Sequence, residues 1–87
     1  VTYQIELSNK AAKQLKKLSA DIREKINEKI LELADNPRPS GVVKLENTAN
    51  KYRIRVGNYR ILYDIQDDIL IVKVVRIGHR RDVYRDE

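Results

Sequence analysis

The stretch Lys51–Tyr63, KYRIRVGNYRILY, decides how this chain reads. Two alternating runs flank Gly57-Asn58, a dipeptide suited to a tight two-residue hairpin with glycine first. Counting outward from that turn sets Val56 opposite Tyr59, Arg55 opposite Arg60 and Ile54 opposite Ile61. Arg53 then faces Leu62, and Tyr52 faces Tyr63. One side carries Tyr52, Ile54, Val56, Tyr59, Ile61 and Tyr63, and is expected to face a core. The other gathers Arg53, Arg55 and Arg60. Like charges opposite one another destabilise a hairpin. At about 5 Å two such charges repel by roughly 1–3 kcal/mol, depending on the effective dielectric. A polyanion would turn that cost into binding. The plainer reading is a solvated face whose arginines splay apart.

The chain has 87 residues, enough for one domain with a small core. Aliphatic residues and five tyrosines must supply that core, because Phe, Trp, Met and Cys are all absent. Without cysteine there is neither a disulfide framework nor a thiolate metal site, which fits a reducing compartment. With no membrane-length apolar run and no signal peptide, a soluble, cytoplasmic protein is expected. The formal net charge is +5. Lys51 to Arg85 holds nine Lys/Arg against four Asp/Glu, and Asn9 to Asn36 seven against five. The excess therefore concentrates in the carboxyl-terminal half. Such a basic domain suggests RNA, DNA or an acidic protein as partner.

Around the hairpin the chain reads as α+β. Thr2–Leu7 alternates as a first strand. Ser8 or Asn9 caps a helix with Leu15 and Leu18 in its apolar stripe and Lys10, Lys13, Lys16 and Lys17 opposite. That lysine face reads most simply as solvated surface, and more sharply as a phosphate contact. Ser19 caps a second helix, with Asp21 and Glu24 expected in its first turn and Ile22, Ile26, Ile30 and Leu33 at helical spacing. Asn36–Gly41 ends it. Val42–Glu46 is a short strand or an extended approach to the sheet. Gln66-Asp67-Asp68 makes a turn. Ile69–Ile77, apolar on both faces apart from Lys73 and Arg76, reads as a central strand. The expected architecture is an amino-terminal strand and an antiparallel helical hairpin on a mainly antiparallel meander.

The residue types narrow the chemistry. A catalytic triad is not available, with His79 the only histidine and no cysteine. One histidine and scattered carboxylates show no metal-ligand spacing, and no cofactor is expected. Three glycines do not make a phosphate loop. What remains is arginine with tyrosine, a set that grips a phosphodiester, stabilises charge on its oxygens and stacks on bases. RNA brings its own nucleophile, the 2′-hydroxyl. A protein that cleaves it must align that hydroxyl with phosphorus, stabilise the crowded state that follows, and manage two protons. Arginine does the first two but is a poor base. Tyr84 could titrate if arginines favoured its phenolate. His79 has a suitable ordinary pKa. Against these roles, His79 can be a turn residue after Gly78, and Tyr84 an aromatic pin for the tail.

YRIRVGNYRILY followed by IGHRRDVYR resembles the RelE/ParE toxin superfamily, and within it the RelE branch. Ala11, Lys13, Leu15, Leu18, Arg23, Ile26, Ile30 and Asn36-Pro37 are similar to its helical hairpin, so the resemblance spans nearly the whole chain. It implies the RelE-like microbial RNase-type fold and a metal-independent, ribosome-dependent endonuclease. Such a toxin cuts messenger RNA in the A site, leaving a 2′,3′-cyclic phosphate and a 5′-hydroxyl, and so blocks translation. It implies catalytic roles for Arg55, Arg60, Arg80 and Tyr84, with Arg81 as the alternative to Arg80. It implies RNA contacts at Arg53, Arg81, His79, Lys10, Lys13, Lys16 and Lys17, the lysine face meeting ribosomal RNA. The implied partners are a cognate antitoxin, the ribosome with its messenger RNA, and operator DNA only through the antitoxin. No membrane is implied.

Two departures qualify this. The best-known relatives carry lysines at the positions of Arg53 and Arg55, and lysine can act as a base where arginine cannot. The chain also ends three residues past Tyr84, so no long final helix is expected. Two rivals stay open. A ParE-like gyrase poison would do no RNA chemistry and would not need Arg60, Arg80 and Tyr84 together. A catalytically inactive regulator would bind only antitoxin and, through it, operator DNA.

Overall fold

The computed structural model describes residues 2–81. Seven elements follow in order: β1 (Gln4–Leu7), α1 (Asn9–Lys16), α2 (Ala20–Asp35), β2 (Val43–Lys44), β3 (Lys51–Val56), β4 (Tyr59–Gln66) and β5 (Ile71–His79). The five strands form one sheet in the order β1-β5-β4-β3-β2. β2 to β5 are an antiparallel meander, and β1 returns to pair in parallel with β5. α1 packs against β5, and α2 against β1 and β3.

The hairpin register is the one read from the sequence, from Val56–Tyr59 at the turn to Tyr52–Tyr63. Gly57 has φ +60 and Asn58 is not in the left-handed region, the pattern of a turn with glycine first. No atom crowds a Cβ built at Gly57, so its backbone angle alone is what asks for glycine.

The core joins the helices to one face of the sheet. Ala11, Ile26, Ile30 and Leu33 meet Tyr52, Ile54, Ile61, Tyr63, Ile65, Val72, Val74 and Ile77. Each fully buried aliphatic side chain contributes about 1.5–3 kcal/mol of transfer free energy. Tyr63 is completely buried and donates its phenol to Pro37 O at 2.7 Å. That bond satisfies the one polar atom the ring brings into the core, and burial pushes the phenol's pKa up. Val56 and Tyr59, nearest the turn, are only half-buried.

Several expectations are corrected. β1 begins at Gln4, not Thr2, and β5 at Ile71, because Ile69 and Leu70 belong to the turn and Leu70 has φ +55. β4 is the middle strand, and β5 lies between it and β1. Ser19 occupies the N-cap of α2 but makes no side-chain cap bond, and only Asp21 of the two acids falls in the first turn. Ser8 does cap α1, accepting from Ala11 N at 3.0 Å.

β5 departs from simple alternation. Leu62 is opposite Arg76, yet Tyr63 is opposite Val74, so Val75 has no counterpart. This bulge explains why Val72, Val74 and Ile77 all enter the same core despite their odd spacing. Where β1 ends, α1 takes over the edge of β5. Ser8 N donates to Val74 O at 2.9 Å and Ser8 Oγ to Val75 O at 3.0 Å. Gln14 Oε1 accepts from Ile77 N at 2.7 Å.

Candidate RNA-binding face

The side of the sheet away from the helices carries the charge. Successive cross-strand rows run Arg55–Arg60–Gly78, then Val43–Arg53–Leu62–Arg76, then Lys51–Asp64–Lys73–Glu6. The end nearest the Gly57 turn is thus arginine without acid, and the far end is mixed. Arg53, Arg55 and Arg60 line one recess of about 230 Å³, together with Gly41 and Val43. The cluster expected from the hairpin register is formed.

Its members differ in freedom. Arg55 is exposed and Arg53 half-buried. Arg60 is only 9% exposed, and one guanidinium nitrogen donates to Tyr59 O at 3.1 Å and Gly57 O at 3.5 Å. The turn therefore holds Arg60 in place, while Gly78 beside it brings no side chain. A guanidinium has five N–H donors in a rigid fork, so these bonds leave others for an anion. The Arg60 guanidinium is thus held in one position, whereas the exposed Arg55 side chain is less constrained.

The carboxyl-terminal candidates are tied to the same end of the sheet. Arg80 N donates to Asn58 O at 2.9 Å, which joins the end of β5 to the hairpin turn. The chain turns helical at Arg80 and Arg81, and both side chains are exposed. Tyr84 lies outside the described residues. His79 is opposite Tyr59 in register, on the helix side of the sheet. Its ring meets Tyr59 edge-on at 5.6 Å, and its Nδ1 accepts from Arg81 N at 3.4 Å. The fold therefore sets His79 on the opposite face from the arginine recess. Lys10, Lys13, Lys16 and Lys17 are exposed on and just after α1, also on the helix side.

Arg76 was passed over in the sequence as an exception in an apolar strand. The bulge sets it on the arginine face, opposite Leu62. The sequence carried no signal for it, because Ile71, Val72, Val74, Val75 and Ile77 are apolar on both faces and only the register shows which of them share one. A second recess, of about 580 Å³, adjoins Leu62 and Arg76 and is closed on one side by the loop from Leu45 to Thr48.

A separate polar cluster fastens the opposite end of the fold. Arg38 pairs with Asp67 at 2.8 Å and 3.2 Å, and its Nε donates to Tyr52 Oη at 3.2 Å. Tyr3 Oη donates to Asp67 at 2.6 Å. The bonds from Arg38, then Tyr3, hold the Asp67 carboxyl down to about 2. This cluster connects the chain after α2, the β4–β5 turn and the start of β1, and is structural.

Residues 5–84 match the family described as "ParE toxin of type II toxin-antitoxin system, parDE". Toxin RelE3 of Methanocaldococcus jannaschii is 36% identical over 76 residues, covering 83% of this chain and 84% of its own length. The mRNA interferase toxin RelE of Escherichia coli K12 is 28% identical over 90 residues, covering 99% and 94%. Among solved structures, the archaeal RelE–RelB complex from Pyrococcus horikoshii contains a chain that superposes with a TM-score of 0.82 at 27% identity, covering 92% of this chain and 97% of that one. The family match, the RelE-named relatives and the superposition on a solved RelE chain lead to one assignment: the chain belongs to the RelE/ParE superfamily of type II toxin–antitoxin toxins, in its RelE branch.

Proposed function

We propose that this toxin is a ribosome-dependent messenger-RNA endonuclease whose arginine face grips the scissile phosphate. The recess shared by Arg53, Arg55 and Arg60 is the observation that carries the reading. The name of the Escherichia coli relative, an mRNA interferase, supports it. In the proposed reaction the 2′-hydroxyl oxygen bonds to the adjacent phosphorus while the bond from phosphorus to the 5′-oxygen breaks. The 2′-hydroxyl loses its proton, and the departing 5′-oxygen gains one. The products are a 2′,3′-cyclic phosphate and a 5′-hydroxyl. Arg60, held by the turn carbonyls, and Arg55 beside it neutralise the oxygens of the crowded phosphorus. Arg80, fastened to the hairpin turn through its backbone, adds charge from the tail side. Arginine does not carry protons. The proton roles therefore fall to Tyr84 and to groups of the ribosome or the RNA itself. With grip strong and proton transfer weak, free RNA is a poor substrate and the ribosome completes the site. The lysines of α1 give a second basic surface for ribosomal RNA on the other side of the molecule.

The partner proposed for the toxin is an antitoxin. The solved relative is named as a RelE–RelB complex, and a basic face of mutually repelling arginines favours a chain with acidic and apolar anchors. Its site of action is the cytoplasm, where ribosomes are. Among the described residues no helix is long and apolar enough to cross a membrane.

The matching family is described as a ParE toxin, which keeps gyrase inhibition as the second reading. A supercoiling assay beside a translation assay separates them. The RNA reading expects cut messenger RNA on ribosomes and unaffected supercoiling at matched toxin concentration. Gyrase inhibition with intact messenger RNA would reverse the assignment.

A further inference from the structure

The β5 bulge builds a second feature on the arginine face. With Val75 lacking a counterpart, Val75 and Arg76 both line the outer recess of about 580 Å³. Leu62 and Leu45 complete its apolar lining. Leu62 is only 5% exposed although it faces away from the helices. The rim is polar, with the carboxylate of Glu46 and the cations of Lys51 and Arg76. The loop that walls the recess is pinned at several points. Thr48 Oγ1 donates to Leu45 O at 2.7 Å, Leu45 N to Lys51 O at 2.9 Å, and Ile65 N to Asn50 O at 2.9 Å. Arg53 and Leu62 are direct cross-strand partners, and one lines the arginine recess while the other lines this one. The two recesses are therefore neighbours, joined by a cross-strand pair whose Cβ atoms stand about 5 Å apart.

We propose that this second recess seats a purine base of the RNA, on the nucleotide next to the phosphate held by the arginines. The inference rests on the RNA reading of that cluster. Leu45 and Val75, over a floor closed by the buried Leu62, give a flat base an apolar surface, and the Arg76 guanidinium can lie against its plane. Glu46 is acceptor-only and takes a hydrogen bond from an exocyclic amino group. Lys51 donates to a ring nitrogen or a carbonyl oxygen. Adenine and guanine match both the area and this donor–acceptor split. Uracil has a smaller ring and no amino group.

The test is a nuclear magnetic resonance titration of the methyl-labelled protein with 5′-GMP, 5′-AMP, 5′-UMP and ribose 5-phosphate. Expected are shifts of the Leu45, Leu62 and Val75 methyls with both purine nucleotides, several-fold smaller ones with UMP, and none with ribose 5-phosphate. Ribose 5-phosphate should move only the Val43 methyl, which reports on the arginine recess. Glu46→Gln should narrow the purine preference while leaving the Val43 response in place. Equal responses to UMP and the purines, or shifts confined to Val43 for every ligand, would overturn the proposal. Purine seating in a protein that cuts nothing on ribosomes would support the recess and refute the nuclease. Ribosomal cleavage without purine seating would do the opposite.

Discussion

At the scale of single residues, the proposed reaction divides binding from chemistry between Arg60 and Tyr84. Arg60 is nearly buried and braced by Tyr59 O and Gly57 O, so its charge is held in one position, as the proposed phosphate contact requires. Arg60→Ala should weaken both binding and cleavage, read as a fall in ribosome affinity and in single-turnover rate. Tyr84→Phe removes a phenolic oxygen and keeps the ring. General acid–base groups are commonly worth about 100- to 10,000-fold in rate. A loss of that order, with ribosome affinity and melting temperature nearly unchanged, is expected. Near-normal cleavage by the Phe variant would leave Tyr84 as an anchor only. Suspicion would then pass to His79, which would have to act from the helix side of the sheet. Asp67 carries a different prediction. Its carboxyl is held at about 2, below the ordinary value near 3.8, by Arg38 and Tyr3. A depressed carboxylate pKa stabilises the fold above the unfolded value, and that contribution fades as pH falls from about 4 toward 2. Wild type should melt above Asp67→Asn at pH 7, with the gap closing toward pH 2. A gap independent of pH would show that the ion pair is not its source.

Among the elements, β5 depends on help from α1. Gln14 Oε1 covers the Ile77 N–H beyond the end of β1. A buried donor left without a partner costs about 1–3 kcal/mol. Gln14→Leu should therefore lower the melting temperature, by roughly 4–8 °C per kcal/mol in a domain of this size. An unchanged melting temperature would mean that water replaces the glutamine. The β3–β4 hairpin was fully legible in the sequence because alternation and Gly57-Asn58 specify the same register. The arginine recess was legible for the same reason, since opposite residues in a known register share a face. The β5 bulge was not. Its apolar residues lie on both faces, so alternation carried no phase, and the doubled Val74-Val75 concealed the shift to Ile77. With the bulge unseen, Arg76 and the second recess could not be placed. The Leu45–Thr48 wall was also illegible, because it rests on the bonds Leu45 N to Lys51 O and Thr48 Oγ1 to Leu45 O within a mostly polar, unpatterned loop. That His79 falls on the face opposite the arginine recess was not legible either, because adjacency in a motif along a strand hides the alternation of faces.

As a whole molecule, the toxin has basic surfaces on opposite sides: the arginine face of the sheet and the lysines of α1. In the proposed function both are used at once, one for messenger RNA and one for the ribosome. An antitoxin that covers the arginine face should therefore block cleavage. Expression of the toxin alone should arrest growth, and co-expression of the neighbouring open reading frame should restore it. Failure of that product to bind would refute the pairing and leave the nuclease untouched. The central claim is ribosome-dependent cleavage by arginine-gripped 2′-hydroxyl attack. It is tested most directly by incubating the protein with programmed ribosomes and mapping cut position and end chemistry, with the same messenger RNA free in solution as control. The account predicts cuts confined to the A-site codon, 2′,3′-cyclic phosphate and 5′-hydroxyl ends, and little cutting of the free RNA. Efficient, specific cleavage of the naked messenger RNA at the same concentration, or intact RNA on the ribosome, would contradict it.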